Sequence, residues 1–175
     1  MALVAFLRGI NVGGHRSFRP SMLAEQLARY DVVNIGATGT FVIRRPITRG
    51  RLRAELARRL PFDAEIMICE GRELLALIAT DVFRKAPRGP DVTRFVSIMA
   101  RRPRCVPEIP IQLPEKGKWL LRILAVHNRF AFGVYRRHMK VIGYLGKLDK
   151  LIGVPVTTRN WNTIKSVIKI LQVSA

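Results

Sequence analysis

The sequence predicts an α+β fold with antiparallel sheets. Three observations carry that prediction: short apolar runs of strand length, amphipathic stretches at helical spacing between them, and glycine-rich turns where one gives way to the next. The chain has 175 residues and a hydrophobic fraction of 49%, enough for a packed core that hides roughly two thirds of the unfolded surface without a disulfide or metal staple. No apolar run approaches the roughly 20 residues of a membrane span.

Ala2 to Leu7 is a continuous apolar run of the kind a buried strand shows,. Pro20 fits the first position of a helix in which Met22, Leu23, Leu27 and Tyr30 share a face,. Val32 to Ile35 and Phe41 to Ile43 read as strands around Gly36-Ala37-Thr38-Gly39, where glycine takes the positive φ of a tight hairpin. Thr48 is placed to cap a very basic helix whose Leu52, Leu56 and Leu60 repeat every four residues,. Ala64 to Cys69 follows as a strand. Strand, helix, strand, strand, helix, strand is the ferredoxin-like order, an antiparallel sheet with helices on one face.

A connecting helix from Arg72 to Ala79 leads to Ala86-Pro87-Arg88-Gly89-Pro90, the most linker-like segment,. The boundary is expected there, giving a ferredoxin-like subdomain with its connecting helix over 1–85 and a second α+β subdomain over 86–175, joined as one compact unit. In the second half Arg94 to Met99 reads as a strand, and the prolines from 103 to 114 exclude a long helix,. Trp119 to Val126 and Phe130 to Tyr135 form a hairpin, a helix covers about 140–152, and Gly153-Val154-Pro155 ends it,. Thr157 to Thr163 reads as the start of a last helix with Trp161, Ile164, Ile168 and Leu171 inward. The half looks like a degenerate copy of the first.

Charge is the most unusual global feature. There are 31 Lys and Arg against 12 Asp and Glu, a formal net charge of +19. Residues 1–62 carry 11 basic and 3 acidic side chains, residues 63–115 carry 8 of each, and residues 116–175 carry 12 and 1. A field of that sign draws polyanions, although a basic surface also serves solubility alone. Cys69 and Cys105 lie in unlike contexts with no CxxC, and His15, His127 and His138 stand apart. No metal, cofactor or catalytic constellation is therefore expected. The first residues lack a basic segment before the apolar run and read as a strand rather than a signal peptide, so a cytoplasmic location is expected.

Two stretches are candidates for binding. Gly9, Gly13 and Gly14 follow a strand and precede a helix, with Arg8, Asn11, His15 and Arg16 beside them. That is where backbone N–H groups can meet a phosphate, yet the spacing matches neither a dinucleotide fingerprint nor a P-loop, and a plain structural turn explains the glycines equally well. Thr158, Asn160, Asn162 and Thr163 supply more short polar side chains than one helix cap needs, with Arg159 expected exposed beside them,. Capping alone and an anion pocket both remain open readings. Arg44-Arg45, Arg101-Arg102 with Arg104, and Arg136-Arg137 each stand at or just after a predicted strand, where they suit backbone phosphates or mere solvation,.

The Leu7-Arg8-Gly9-Ile10-Asn11-Val12-Gly13-Gly14 stretch, with Gly153-Val154-Pro155 and Thr157 to Thr163 near the other end, resembles the signature of a bacterial family of unknown function numbered 1697. The resemblance covers essentially the whole chain and implies two interlocked ferredoxin-like subdomains. It implies no activity. The chain departs from the family pattern at Ala37-Thr38-Gly39-Thr40, where relatives carry a polar Asn or Gln, Ser, Gly, Asn turn, and at Met139-Lys140-Val141-Ile142-Gly143, where they carry a glycine-rich Ser-Lys-Leu stretch that opens the penultimate helix. The reading that follows is a small basic, non-enzymatic binding protein for nucleic acid or another phosphorylated ligand. The alternatives are an enzyme acting on a phosphate-bearing small molecule, with Asn11 and residues 157–163 in its pocket, and a dimeric scaffold that pairs through its sheet.

Overall fold

A computed structural model describes residues 1–10 and 17–173. It is α+β, with two antiparallel sheets, and divides into two compact units. One holds the described residues up to Ala79 together with those from Asn162 on, and the other holds 80–161.

In the first unit the sheet is built from β1 (Leu3–Leu7), β2 (Val32–Ile35), β3 (Thr40–Ile43) and β4 (Ile66–Glu70), in the order β2-β3-β1-β4. Every residue of β1 is buried, which is why it reads as an unbroken apolar run rather than an alternation. Leu3, Ala5 and Leu7 join Phe41, Ile43, Ile66 and Ile68 on one face of the sheet, and the core there is completed by the helices α1 (Pro20–Gln26) and α2 (Arg49–Arg59) through Leu23, Leu27, Leu52 and Leu56. Pro20 opens α1 as expected, while Met22 is exposed. Gly39 has φ +72°, and a Cβ there would lie 2.8 Å from the Leu7 Cβ, so the hairpin turn admits no side chain,.

The Thr48 hydroxyl accepts from the Arg51 N–H at 3.2 Å and caps α2,. Glu70 and Glu73 form a reciprocal capping box that starts α3 (Gly71–Leu75),. The last helix, α6 (Trp161–Val173), buries Ile164, Val167, Ile168 and Leu171. A Cβ on Gly71 would come within 2.9 Å of the Leu171 side chain, so α6 belongs with the first unit although its sequence position suggests the second.

The second unit carries a sheet in the order β6-β7-β8-β5-β9, from β5 (Val92–Met99), β6 (Ile111–Leu113), β7 (Leu121–His127), β8 (Phe130–Arg136) and β9 (Val156–Asn160). Phe95, Met99, Leu121, Ile123 and Ala131 pack with Leu148, Ile152, Val154 and Val156. Gly133 lets β8 pass under the Phe95 ring, since a Cβ there would strike the Phe95 Cζ and lie 2.5 Å from the Arg122 carbonyl. The helix expected over 140–152 is two short ones, α4 (Lys140–Gly146) and α5 (Leu148–Ile152). Gly143 and Gly146 weaken the stretch as a continuous helix. Gly153, at φ +83°, closes α5 with its N–H on the Asp149 carbonyl at 2.7 Å,.

The largest departure from expectation is β9. Thr157 to Asn160 is a strand paired antiparallel to Phe95 through Ile98, not the first turn of a helix. Two of the short polar side chains that resemble caps, Thr157 and Thr158, are also β-branched, as is Val156 before them, and that chemistry favours the pleated backbone. Among the described residues no helix is long and apolar enough to cross a membrane.

Candidate functional site

The candidate binding residues are best sorted by what their charges already meet. Arg8 follows β1, with its backbone N–H on the Glu65 carbonyl at 3.0 Å and its guanidinium on the Glu65 carboxylate at 3.1 Å. Gly9 is exposed at φ +69°. Asn11, Gly13, Gly14, His15 and Arg16 lie outside the described residues.

Of the β9 stretch, Thr158 meets the Ser97 hydroxyl at 2.7 Å across the sheet. Arg159 corrects the expectation of an exposed cation. It is buried at 6% exposure, and its guanidinium donates to the Thr157 hydroxyl and the Thr158 carbonyl, each at 2.9 Å. The strand alternation turns the side chain into the interior, and burial brings its pKa down to about 10, still protonated at neutral pH,. Asn160 is exposed at the end of β9 and Asn162 in the first turn of α6.

The arginine pairs divide. Arg44 holds the Asp31 carboxylate at 2.7 Å, and Arg45 reaches the Arg29 carbonyl at 3.3 Å. Arg136 holds Asp91 at 2.8 Å and lies 4.3 Å from the Trp119 ring centroid, with Arg122 at 4.9 Å from the same ring,. The hydrogen bond from Arg136 keeps the Asp91 carboxyl below its ordinary pKa, against a smaller opposing effect of desolvation. Arg101 and Arg102 are different. They are exposed in the loop after β5, and among the described residues neither side chain has an acid or acceptor in reach. The same holds for Arg104, Arg137 and Lys150.

Two clefts show the same contrast. In the first unit a cleft of about 590 Å³ is lined by Ile47, Thr48, Arg49, Glu70 and Arg72 among others, and its cations are spoken for: Arg49 meets Glu70 at 3.1 Å and Glu73 at 3.2 Å, and Arg72 meets Glu70 at 2.5 Å. In the second unit a cleft of about 570 Å³ lies between the 101–107 loop and the end of α5, and Arg101, Arg104, Cys105 and Lys150 line it with no acidic side chain among its walls. Lys150 was not singled out as a partner of Arg101 and Arg104 from the sequence. It stands far from them along the chain, and the only signal was the charge surplus itself.

For catalysis the inventory is thin. Among the described residues no three His, Cys, Asp or Glu side chains gather. His127 packs edge-on to Phe132 and His138 accepts the Lys140 N–H at 3.2 Å. Cys69 is buried and Cys105 is exposed.

A family model matches residues 1–109. The chain belongs to that family. Its description is "Protein of unknown function (DUF1697)", and the match takes in the Leu7 to Gly14 anchor while ending before residues 153–163. Among solved structures the chain is similar to the conserved bacterial protein SP0830 from Streptococcus pneumoniae, at 13% identity and a TM-score of 0.61, with 97% of this chain and 98% of that one covered. At that identity the likeness shows the fold alone. No curated protein matches the chain.

Proposed function

We propose that this member of the family is a non-enzymatic binding protein that holds phosphate-bearing partners, nucleic acid among them, on a basic surface. The observation that carries the reading is the sorting of its cations. Arg8, Arg44 and Arg136 are engaged by carboxylates, whereas Arg101, Arg102, Arg104 and Lys150 face solvent with no acid in reach among the described residues. Unpaired, exposed cations beside one another are what a polyphosphate backbone neutralises. Sequence-specific readout is not part of the proposal, since no DNA-reading motif is present.

We further read both units as ferredoxin-like. The order β2-β3-β1-β4 in the first supports it, and β7-β8-β5-β9 in the second repeats the placement with β6 added at the edge. Two free cysteines fit a reducing compartment and hence the cytoplasm,.

The test is binding of labelled single- and double-stranded DNA and RNA across a salt series. Affinity that falls with log salt at a slope of about −0.9 per neutralised duplex phosphate, with several phosphates involved at physiological salt, is the expected result. Loss of all binding near physiological salt for every polymer, with no thermal stabilisation by phosphorylated small molecules, overturns the proposal.

A further inference from the structure

We infer that the cleft between the 101–107 loop and residues 150–154 is a discrete phosphate-recognition site, in which Arg101, Arg104 and Lys150 converge on one phosphoryl group. The inference rests on the binding reading above and gives it an address. Three cations line one concavity of about 570 Å³ whose remaining walls are Cys105, Pro107 and the backbone turn at Leu151 to Val154. Like charges set side by side repel, so a protein that gains nothing from them spreads them out or pairs them. The first unit does pair the arginines of its cleft, through Glu70 in the lining and Glu73.

Here the acids nearest in sequence do not serve. The Asp149 carboxylate accepts the Val156 N–H at 3.0 Å, and Glu108 is exposed and not part of the cleft wall. The cavity thus has three cationic side chains and no carboxylate in its lining, and room for a phosphate with part of the group that bears it. Two guanidinium forks and an ammonium match the oxygens of a phosphoryl group by charge-assisted hydrogen bonds. Gly153 and Val154, in the turn that ends α5, shape one wall, which gives that conspicuous sequence a role besides stopping a helix.

The cleft also contains its own reporter. Cys105 is exposed and in its lining, while Cys69 is 0% exposed, so alkylation of the folded protein by neutral iodoacetamide reads the cleft alone. With ionic strength held constant by sodium chloride, inorganic pyrophosphate is expected to slow Cys105 alkylation saturably in the parent protein. Arg101→Ala and Arg104→Ala should each weaken that protection about tenfold in pyrophosphate concentration, the scale of losing one charge-assisted contact. Lys150→Ala should weaken it too, while Lys147→Ala, which removes an exposed charge outside the cleft, should leave it unchanged.

No protection in the parent, protection that survives the combined Arg101→Ala, Arg104→Ala and Lys150→Ala changes, or equal loss in Lys147→Ala overturns the site. A labelled single-stranded oligonucleotide in the same experiment separates the two proposals. If it binds with a salt slope but leaves Cys105 reactive, the cleft fails while the general reading stands. If neither it nor pyrophosphate binds, both fail.

Discussion

The guanidinium of Arg159 donates to the hydroxyl of Thr157 two residues back on the same strand, at 2.9 Å. Both side chains lie on the same sheet face as Val96 and Ile98, their partners in register and each fully buried,. A cation in that position is a structural member, desolvated and tied to its own strand. Arg159→Ala is expected to lower the free energy of unfolding by about 1.5–3 kcal/mol, the scale of a hydrogen-bonded charged group. Arg159→Lys should recover little of it, because an ammonium lacks the fork that reaches the Thr157 hydroxyl and the Thr158 carbonyl together,. Urea unfolding checks both, and a neutral outcome for Arg159→Ala would show that the buried guanidinium is not held for the fold.

Gly133 leaves no room for a Cβ beside the Phe95 ring and the Arg122 carbonyl. Gly133→Ala is expected to destabilise by about 1–3 kcal/mol through overpacking against Phe95. Gly143 and Gly146 have open space where a Cβ would go, and Gly143→Ala in the interior of α4 should stabilise by about 0.5–1 kcal/mol. Opposite shifts in the urea midpoint with an unchanged m-value are the expected pair of results.

These residues also show what the sequence made legible. Periodicity placed β1 through α2 and β4, because each carries an apolar run or stripe of one period and a turn or cap at its edge: Pro20, Gly39 and Thr48 all do what their chemistry predicts. Arg159 was misread because Thr and Asn suit both a helix cap and a strand, and the deciding fact is pairing with Phe95 to Ile98, about sixty residues away,. The same limit applies to the cleft. Local pattern marks Arg101 and Arg102 as basic, but only the fold brings Lys150 to the wall that Arg101 and Arg104 share.

Glu55 gathers three arginines on the basic helix α2. Arg29 reaches it at 2.8 Å and Arg58 at 3.2 Å, and Arg59 bonds it as well. Desolvation raises its pKa, yet the hydrogen bonds from Arg59 and Arg58 and the charge of Arg29 outweigh it, so the carboxyl sits below its ordinary value. A carboxyl with a lowered folded pKa adds stability that is present above its unfolded value, about pH 4, and is lost as pH falls through the folded one. Glu55→Gln should therefore lower Tm at pH 7, and the gap should close as the pH falls through the lowered folded pKa,. A gap that stays constant with pH would assign the effect to packing instead of charge.

Arg136 and Arg101 stand at the ends of neighbouring strands, yet they should behave oppositely when removed. Arg136 is committed to Asp91 and stacks on Trp119, so Arg136→Ala costs stability, about 1 kcal/mol from the stacked and paired guanidinium, and leaves the salt slope for nucleic acid close to the parent's. Arg101 has no partner among the described residues to lose. Arg101→Ala should leave urea unfolding within about 0.5 kcal/mol of the parent while reducing the salt slope by about one. Measuring both quantities on both variants separates a cation held for the fold from a cation held for a ligand. If Arg101→Ala unfolds as the parent does and binds with the parent's slope, the free charge of the 101–104 loop is a solvated surface and nothing more.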